Sequence, residues 1–373
     1  MRQLTKAALT RAAAVSTAAA LAAGTAVAGS AGASAVTVSY TVTDLGTLGY
    51  ISSSGGGLNG AGQASGVSSL ATTVPVTPCP PKYGKPQHCV KRPEHAFLYS
   101  RGAMTDLGTL GGINSAGTAI NATGTVVGSA DTAAGHSHAF TESGGVMTDL
   151  GTLDGTAASS NALAVNSSGQ VAGWSTAPGG TGDVAFLYTN GSMIDLGTID
   201  GGIASVANGI NDAGVVIGNS DTASSDERGF VYQNGTITDI GTLGGPNSSV
   251  DAINNNGVVT GSSQDAGDVS HPFVYSNGTM TSLGTYNIDT TPQAINDNGE
   301  IVGTTYGVNA SGYPFTDAFV YQNGKFQDLN ALIPAGSGWR LSDAIAVNVS
   351  GQILVDATNS SGQNHAVLLT PAS

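Results

Sequence analysis

Charge is scarce in this chain, and basic charge is the scarcer kind. Of 373 residues 10% are charged, with 11 Lys and Arg against 25 Asp and Glu, a formal net charge of −14. A surface so poor in cations has no basic stripe with which to hold nucleic acid or an anionic membrane, and neither is expected as a partner. Cysteine is almost missing too, with only Cys79 and Cys89. Two thiols alone do not make a metal site or a multi-bridge scaffold. Long apolar runs are also lacking. The alanine-rich run Ala12 to Ala28 is too weakly apolar and too short to span a bilayer, and no later stretch qualifies, so no membrane insertion is expected. Helix signals are nearly absent beyond that run.

What the chain has in excess is glycine, 55 residues, beside a 40% hydrophobic fraction. That combination points to turn-rich β structure, since a disordered chain would hold fewer apolar residues. The N-terminus reads as a secretory signal peptide over residues 1–35. Arg2, Lys6 and Arg11 precede the alanine run, and Ala26-Val27-Ala28 and Ala33-Ser34-Ala35 are small-x-small cleavage sites. Cleavage after Ala35 is preferred to cleavage after Ala28, because a strand-like segment opens near Val36. The mature chain is then extracellular, a single domain over 36–373, with 8 Lys and Arg against 25 Asp and Glu and a net charge of −17. Export makes a Cys79–Cys89 disulfide the expected state of the cysteine pair. It closes a loop of about ten residues, a constraint worth roughly 2.5–3 kcal/mol in the chain-entropy model.

The phrase Asp-Leu-Gly-Thr starts at Asp44, Asp106, Asp149, Asp195 and Asp239, with weaker copies at Ser282 and Asp328. After a first gap of 62 residues the spacings are 43, 46, 44, 43 and 46. A period in this range marks a repeat architecture. Each unit divides into four segments. The first ends in an aliphatic residue and Asn, at Asn59, Asn121, Asn166, Asn211, Asn254, Asn296 and Asn348, with Ala or Gly two before each Asn. Side chains alternate across a strand, so one face of this segment is nearly bare, as suits an innermost strand where sheets converge. A glycine three residues after each Asn reads as a hairpin needing positive φ. A second strand such as Val126-Val127-Gly128 follows, then a third such as His138-Ala139-Phe140, then Asp-Leu-Gly-Thr. Four of the last hairpins carry Asn-Gly, at Asn190, Asn234, Asn277 and Asn323.

Seven such units predict an all-β, seven-bladed β-propeller of four-stranded antiparallel blades. The seventh unit lacks its fourth strand, and an orphan copy, Tyr40 to Gly46, stands at the other end of the domain. The N-terminal strand is therefore expected to close the last blade and remove an open edge. These motifs resemble the extracellular HAF-repeat family, named for His-Ala-Phe beside Asp-Leu-Gly-Thr-Leu-Gly-Gly and Ile-Asn-x-x-Gly. The fullest copy runs from His95-Ala96-Phe97-Leu98 to Asp106-Leu107-Gly108-Thr109-Leu110-Gly111-Gly112. The resemblance covers nearly the whole mature chain and implies a secreted bacterial repeat protein, with no activity to carry over.

Catalytic signatures are missing: no Gly-x-Ser-x-Gly, no His-Glu-x-x-His, no phosphate loop. Gly55-Gly56-Gly57-Leu58-Asn59-Gly60 matches a dinucleotide fingerprint by letter but has no strand-to-helix context. The repeated Asp and the tyrosines Tyr99, Tyr188, Tyr232, Tyr275 and Tyr321 read as structural. Function is therefore sought where the repeats differ, in the links between second and third strands. The unit 1 insert, about 67–94, is stapled by the cysteines and concentrates basic residues. Lys82, Tyr83 and Lys85 are candidate ligand contacts there, for an anionic polymer. Trp174, Tyr306 and Tyr313 are candidate sugar-stacking residues on the same face. Asp131, Asp221 and Asp265, with Asp183 and Asp268 nearby, are candidate Ca²⁺ ligands, although no calcium-loop spacing is present and no other cofactor is expected. The leading expectation is a monomeric, non-catalytic module that binds an extracellular polysaccharide, wall component or protein. The alternative is a hydrolase or lyase acting on a polysaccharide or polyester, with His136, Asp183, Glu227 and Arg228 as candidates.

Overall fold

The computed structural model describes residues 39–76, 89–155, 157–180, 182–308 and 312–372. The expected signal segment, Cys79, Lys82, Tyr83 and Lys85 lie outside them, and the side chain of Cys89 is likewise not described, so the expectation of a disulfide falls outside the described residues.

Seven four-stranded antiparallel sheets follow one another along the chain. Blade 1 consists of Gly49–Leu58, Ala64–Leu70, Glu94–Ser100 and Ala103–Asp106. Blades 2 to 7 open with Gly111–Ile120, Ser160–Val165, Ser205–Ile210, Gly244–Ile253, Asp289–Ile295 and Trp339–Val347. Each of these first strands touches the first strands of both neighbouring blades, and that of blade 7 touches that of blade 1. The sheets therefore form a seven-bladed β-propeller, with the first strands at the hub. An extra hairpin, Val74–Val76 with Cys89–Lys91, rises from the blade 1 insert.

Closure is as expected. The strand Tyr40–Asp44 pairs antiparallel with Asn364–Pro371, Tyr40 opposite Pro371 and Asp44 opposite Val367. His365 Nδ1 lies 2.9 Å from Asp44 Oδ1 across this seam. The outer hairpins adopt the left-handed turn their Asn-Gly pairs require, with φ of 53° at Asn190 and 77° at Gly191.

Two repeated positions hold the ring together. The hub asparagines are buried, and each side-chain amide donates to the backbone carbonyl of the same asparagine in the next blade, at 2.9 to 3.3 Å. The last of these, Asn348 to Asn59, closes the circle. The Asn59 Oδ1 meanwhile accepts from the N–H groups of Ala61 and Gln63, forming the turn. The sequence pattern showed the turn but not this inter-blade bond. The second position pairs a third-strand Phe with a second-strand Gly: Phe97 opposite Gly66, and likewise through Phe319 opposite Gly303. These six phenylalanines are fully buried, each worth about 1.5–3 kcal/mol of transfer free energy. A Cβ on Gly218 would stand 2.6 Å from the Phe230 ring and 2.1 Å from the Val206 carbonyl oxygen. Blade 7 replaces the large–small pair with two medium residues, Val355 opposite Val367.

The glycine run in blade 1 has a packing cause. A Cβ at Gly56 would meet the Gly117 carbonyl oxygen of blade 2 at 2.1 Å, and one at Gly57 would meet Ala119 Cα at 2.7 Å. It is an inner strand pressed against its neighbour, not a nucleotide fingerprint.

Candidate functional site

The antiparallel order puts the starts of the first strands and the second-to-third links on one face. The aspartates expected as metal ligands belong to three blades and are not brought together. Asp131 in blade 2 accepts from the Asn114 N–H at 3.0 Å and from its side-chain amide at 2.7 Å. Asp221 ends the second strand of blade 4, opposite Glu227. Asp265 in blade 5 is bonded by His271 at 2.9 Å and by the N–H groups of Gly267 and Val269, which hold its carboxyl below the usual carboxylate range. Asp268 occupies the same link turn. Among the described residues no three His, Cys, Asp or Glu side chains are grouped to hold a metal ion.

The candidates for catalysis are equally dispersed. His136 lies in a blade 2 turn, its N–H donating to Thr132 Oγ1. Asp183 starts the third strand of blade 3, and Glu227 and Arg228 start that of blade 4. Arg228 stands where other blades have the triplet histidine, 3.6 Å from Asp239. The histidines make the same partnership, His95 with Asp106 at 2.8 Å and His138 with Asp149 at 2.9 Å. The repeated Asp also accepts the N–H two residues on, as Gly108 donates to Asp106 at 2.8 Å. Both columns are thus structural. The recurring tyrosines pack against the blade cores, as Tyr99 and Tyr232 do.

Trp174 sits half-buried in the second strand of blade 3. Tyr306 and Tyr313 flank the blade 6 link and are 46% and 69% exposed. Of the blade 1 insert's basic residues, Arg92 is pinned to its own blade. It lies over the Tyr50 ring at 3.8 Å and donates to the Ala71 carbonyl at 2.7 Å.

Where blades 6, 7 and 1 meet on this face, a cavity of about 430 Å³ opens. Ser54, Glu94, Thr304, Tyr306, Asp343 and Asp356 line it. Asp343 and Asp356 lie directly opposite each other on the first two strands of blade 7. Each is anchored from a neighbouring blade. Ser54 Oγ and the Gly55 N–H donate to Asp356 at 2.5 and 2.8 Å. Gln293 Nε2 donates to Asp343 at 2.5 Å, and Thr304 Oγ1 donates to the same oxygen. Burial pushes the Asp356 carboxyl up to about 6; the bonds from Ser54 and Gly55 oppose the rise and the Asp343 charge adds to it. Burial raises the Tyr306 phenol as well, with the charges of Asp343 and Asp289 adding to it. A second hollow, about 770 Å³, lies over residues 333–338 between blades 6 and 7. Its carboxylate, Asp317, is paired with Arg340 at 3.0 Å.

Of the candidate site residues singled out from sequence that are among the described residues, only Tyr306 lines the cleft. Asp343 and Asp356 carried a readable signal nonetheless. Five residues before the hub Asn, Asp343 stands where the other units have Ser54, Ala116, Asn161, Val206, Ser249 and Thr291. The partner position, Asp356, holds Val67 in blade 1 and Thr304 in blade 6. A carboxylate pair at two otherwise uncharged positions is a departure from the repeat of the kind that marks a site.

No family model matches the chain, and no curated protein does. Solved structures resemble it in fold. The β-propeller domain of the Trilobed protease from Pyrococcus furiosus, described as having an open velcro topology, aligns with a TM-score of 0.50 at 7% identity. The match covers 87% of this chain and 98% of that one. TolB from Acinetobacter baumannii aligns at 0.41 and 12% identity over 75% of this chain, which spans 60% of the TolB length. The Aleuria aurantia lectin, in complex with Fucα1-6GlcNAc, aligns at 0.36 and 13% identity over 68% of this chain and 93% of the lectin. At these identities the likeness is one of fold, and the chain is a β-propeller in which the strand Tyr40–Asp44 completes the last blade.

Proposed function

We propose that the protein is a secreted, non-catalytic binding module of the HAF-repeat kind, and that its link face recognises an extracellular polysaccharide. One observation carries this reading: the cleft between blades 6, 7 and 1 offers hydroxyls and carboxylates beside the half-exposed ring of Tyr306. Sugar rings are bound by such a set, polar groups meeting hydroxyls while an aromatic face stacks on the C–H surface. Tyr313 stands on the same blade 6 hairpin and extends the stacking surface. The stem of the blade 1 insert leads directly into Glu94, which supports a contribution from Tyr83. Sedimentation of the purified protein with insoluble polysaccharides tests the reading. Saturable binding that Tyr306→Ala weakens at least about tenfold, a loss of roughly 1.4 kcal/mol, supports it. Binding unaffected by Tyr306→Ala and by deletion of residues 74–93 would count against this face.

A hydrolase is the second reading, favoured by the Asp343–Asp356 pair and the raised Asp356 carboxyl, which suits a general acid. Both carboxylates, however, are held by structural hydrogen bonds. Turnover of a polysaccharide or polyester panel, abolished by Asp356→Asn, would establish this reading over the first.

A further inference from the structure

Resting on the polysaccharide reading, we infer that the cleft between blades 6, 7 and 1 selects an amino sugar, a polysaccharide whose units carry a free, protonated amine. The cavity's ionisable lining consists of Glu94, Asp343, Asp356 and Tyr306, with no Lys, Arg or His among its described lining residues. An anionic sugar entering it would meet only like charge, which is costly in a partly desolvated site. A neutral sugar would leave the charge of the carboxylates unused.

Placement favours an amine over a loose counter-ion. Asp343 and Asp356 face each other across one strand pair, which sets their Cβ atoms about 4.5–5.5 Å apart. The bonds from Ser54, Gly55, Gln293 and Thr304 fix both carboxylates while leaving each able to accept further. An ammonium has three donors, matching two carboxylates and a hydroxyl. The remaining lining is hydroxyl-rich, with Ser52, Ser69, Thr316 and Ser342, and suits the other hydroxyls of a pyranose. Tyr306 supplies the stacking face. Ser52 and Ser69 bond each other and Ser342 donates to the Asp356 carbonyl, which leaves these oxygens able to accept from sugar hydroxyls; a lysine side chain would use the carboxylates but has no further donors for them, so a saccharide fits better than a basic peptide. Two cations of the surrounding blades are engaged outside the cleft: Arg92 lies over the Tyr50 ring and donates to the Ala71 carbonyl, and Arg340 is paired with Asp317.

Calorimetric titration of the purified full chain with four probes tests this: a glucosamine oligomer, its N-acetylated counterpart, a galacturonate oligomer and an oligolysine. The glucosamine oligomer should bind at least about tenfold tighter than the acetylated one, with affinity falling as salt rises. Affinity should strengthen as pH rises toward about 6, where Asp356 ionises, and weaken again once the sugar amine loses its proton. Asp343→Asn and Asp356→Asn should remove the preference for the free amine, while Tyr306→Ala should weaken both sugars alike; circular dichroism melting shows which variants remain folded. If a carboxylate variant fails to fold, the ranking of the four probes on the parent protein still decides. Equal or tighter binding of the acetylated or galacturonate oligomer overturns the amine selectivity and leaves the polysaccharide reading standing. Oligolysine binding more tightly than any sugar overturns the inference in favour of a basic peptide. Binding of none of the four overturns it as well. The insoluble-polysaccharide assay then shows separately whether the broader reading has failed.

Discussion

At the scale of single residues, one hub position illustrates how a repeated contact can become pH-dependent. Three residues before the ring asparagine, Thr118 donates to the Ala162 carbonyl of the next blade at 2.7 Å, and Asn208 donates to that of Val250 at 2.8 Å. Asp251 holds the same position in blade 5, and its Oδ2 is buried without a partner among the described residues. A carboxyl can donate there only when protonated. Burial first, and the charge of Glu227 second, push Asp251 up from 3.8 to about 7. The folded state therefore holds the proton more tightly than the unfolded state. The resulting stabilisation is complete below about 3.8 and is lost as pH rises through about 7. Asp356, raised to about 6, acts in the same direction. The melting temperature should fall across this interval. Asp251→Asn, which keeps a donor at every pH, should flatten the slope and raise the melting point above pH 7 by an amount on the order of 2 °C. A melting point that climbs across this interval would contradict the assignment. The ring asparagines allow a second test. Asn254→Ala strips the acceptor from the N–H groups of Asn256 and Val258 and the donor from the Asn296 carbonyl. Leaving the buried Asn296 carbonyl and the two turn N–H groups without these partners should cost about 3 kcal/mol in denaturant unfolding; a loss under about 1 kcal/mol would mean the ring contributes little.

At the scale of the blade, the large–small pairing is the element that repeats. Gly218→Val should destabilise strongly, because the added side chain meets both the Val206 carbonyl and the Phe230 ring. Phe230→Ala should cost about 3–5 kcal/mol through the cavity it leaves. Urea titration reads both, and a tolerated Gly218→Val would show the blades to be looser than the geometry implies. This regularity is also why so much of the fold was legible in sequence. The Asn-x-x-Gly turn, the His-Ala-Phe strand and the Asp-Leu-Gly-Thr strand answer the same local constraint seven times, so each copy corroborates the others. The cleft was not legible in the same way. Ser54 and Asp356 are 302 positions apart and meet only because the ring closes. Tyr306 was found because an exposed aromatic in a link departs visibly from its neighbours. Asp343 departs equally from its column, but its importance rests on Asp356 and Gln293, which lie on other strands. The metal expectation at Asp131, Asp221 and Asp265 rested on recurrence. Recurrence around a ring places residues on different blades and keeps them apart.

At the scale of the whole molecule, everything proposed for the link face depends on closure between the ends of the domain. The cleft includes residues of blades 6, 7 and 1, and blade 7 is complete only when Tyr40–Asp44 joins it. Removing residues 39–45 should expose the edge of Asn364–Pro371, promote association through it, and abolish polysaccharide binding together with stability. The direct measurement is a paired cysteine substitution, Thr41→Cys with Thr370→Cys, at positions that face each other across the seam. Mild oxidation followed by peptide mapping should recover a disulfide joining the two substituted positions within one monomer, with a raised melting temperature. Thiols that stay free at both positions, or that link only between molecules, would mean the ring is open and the cleft does not exist.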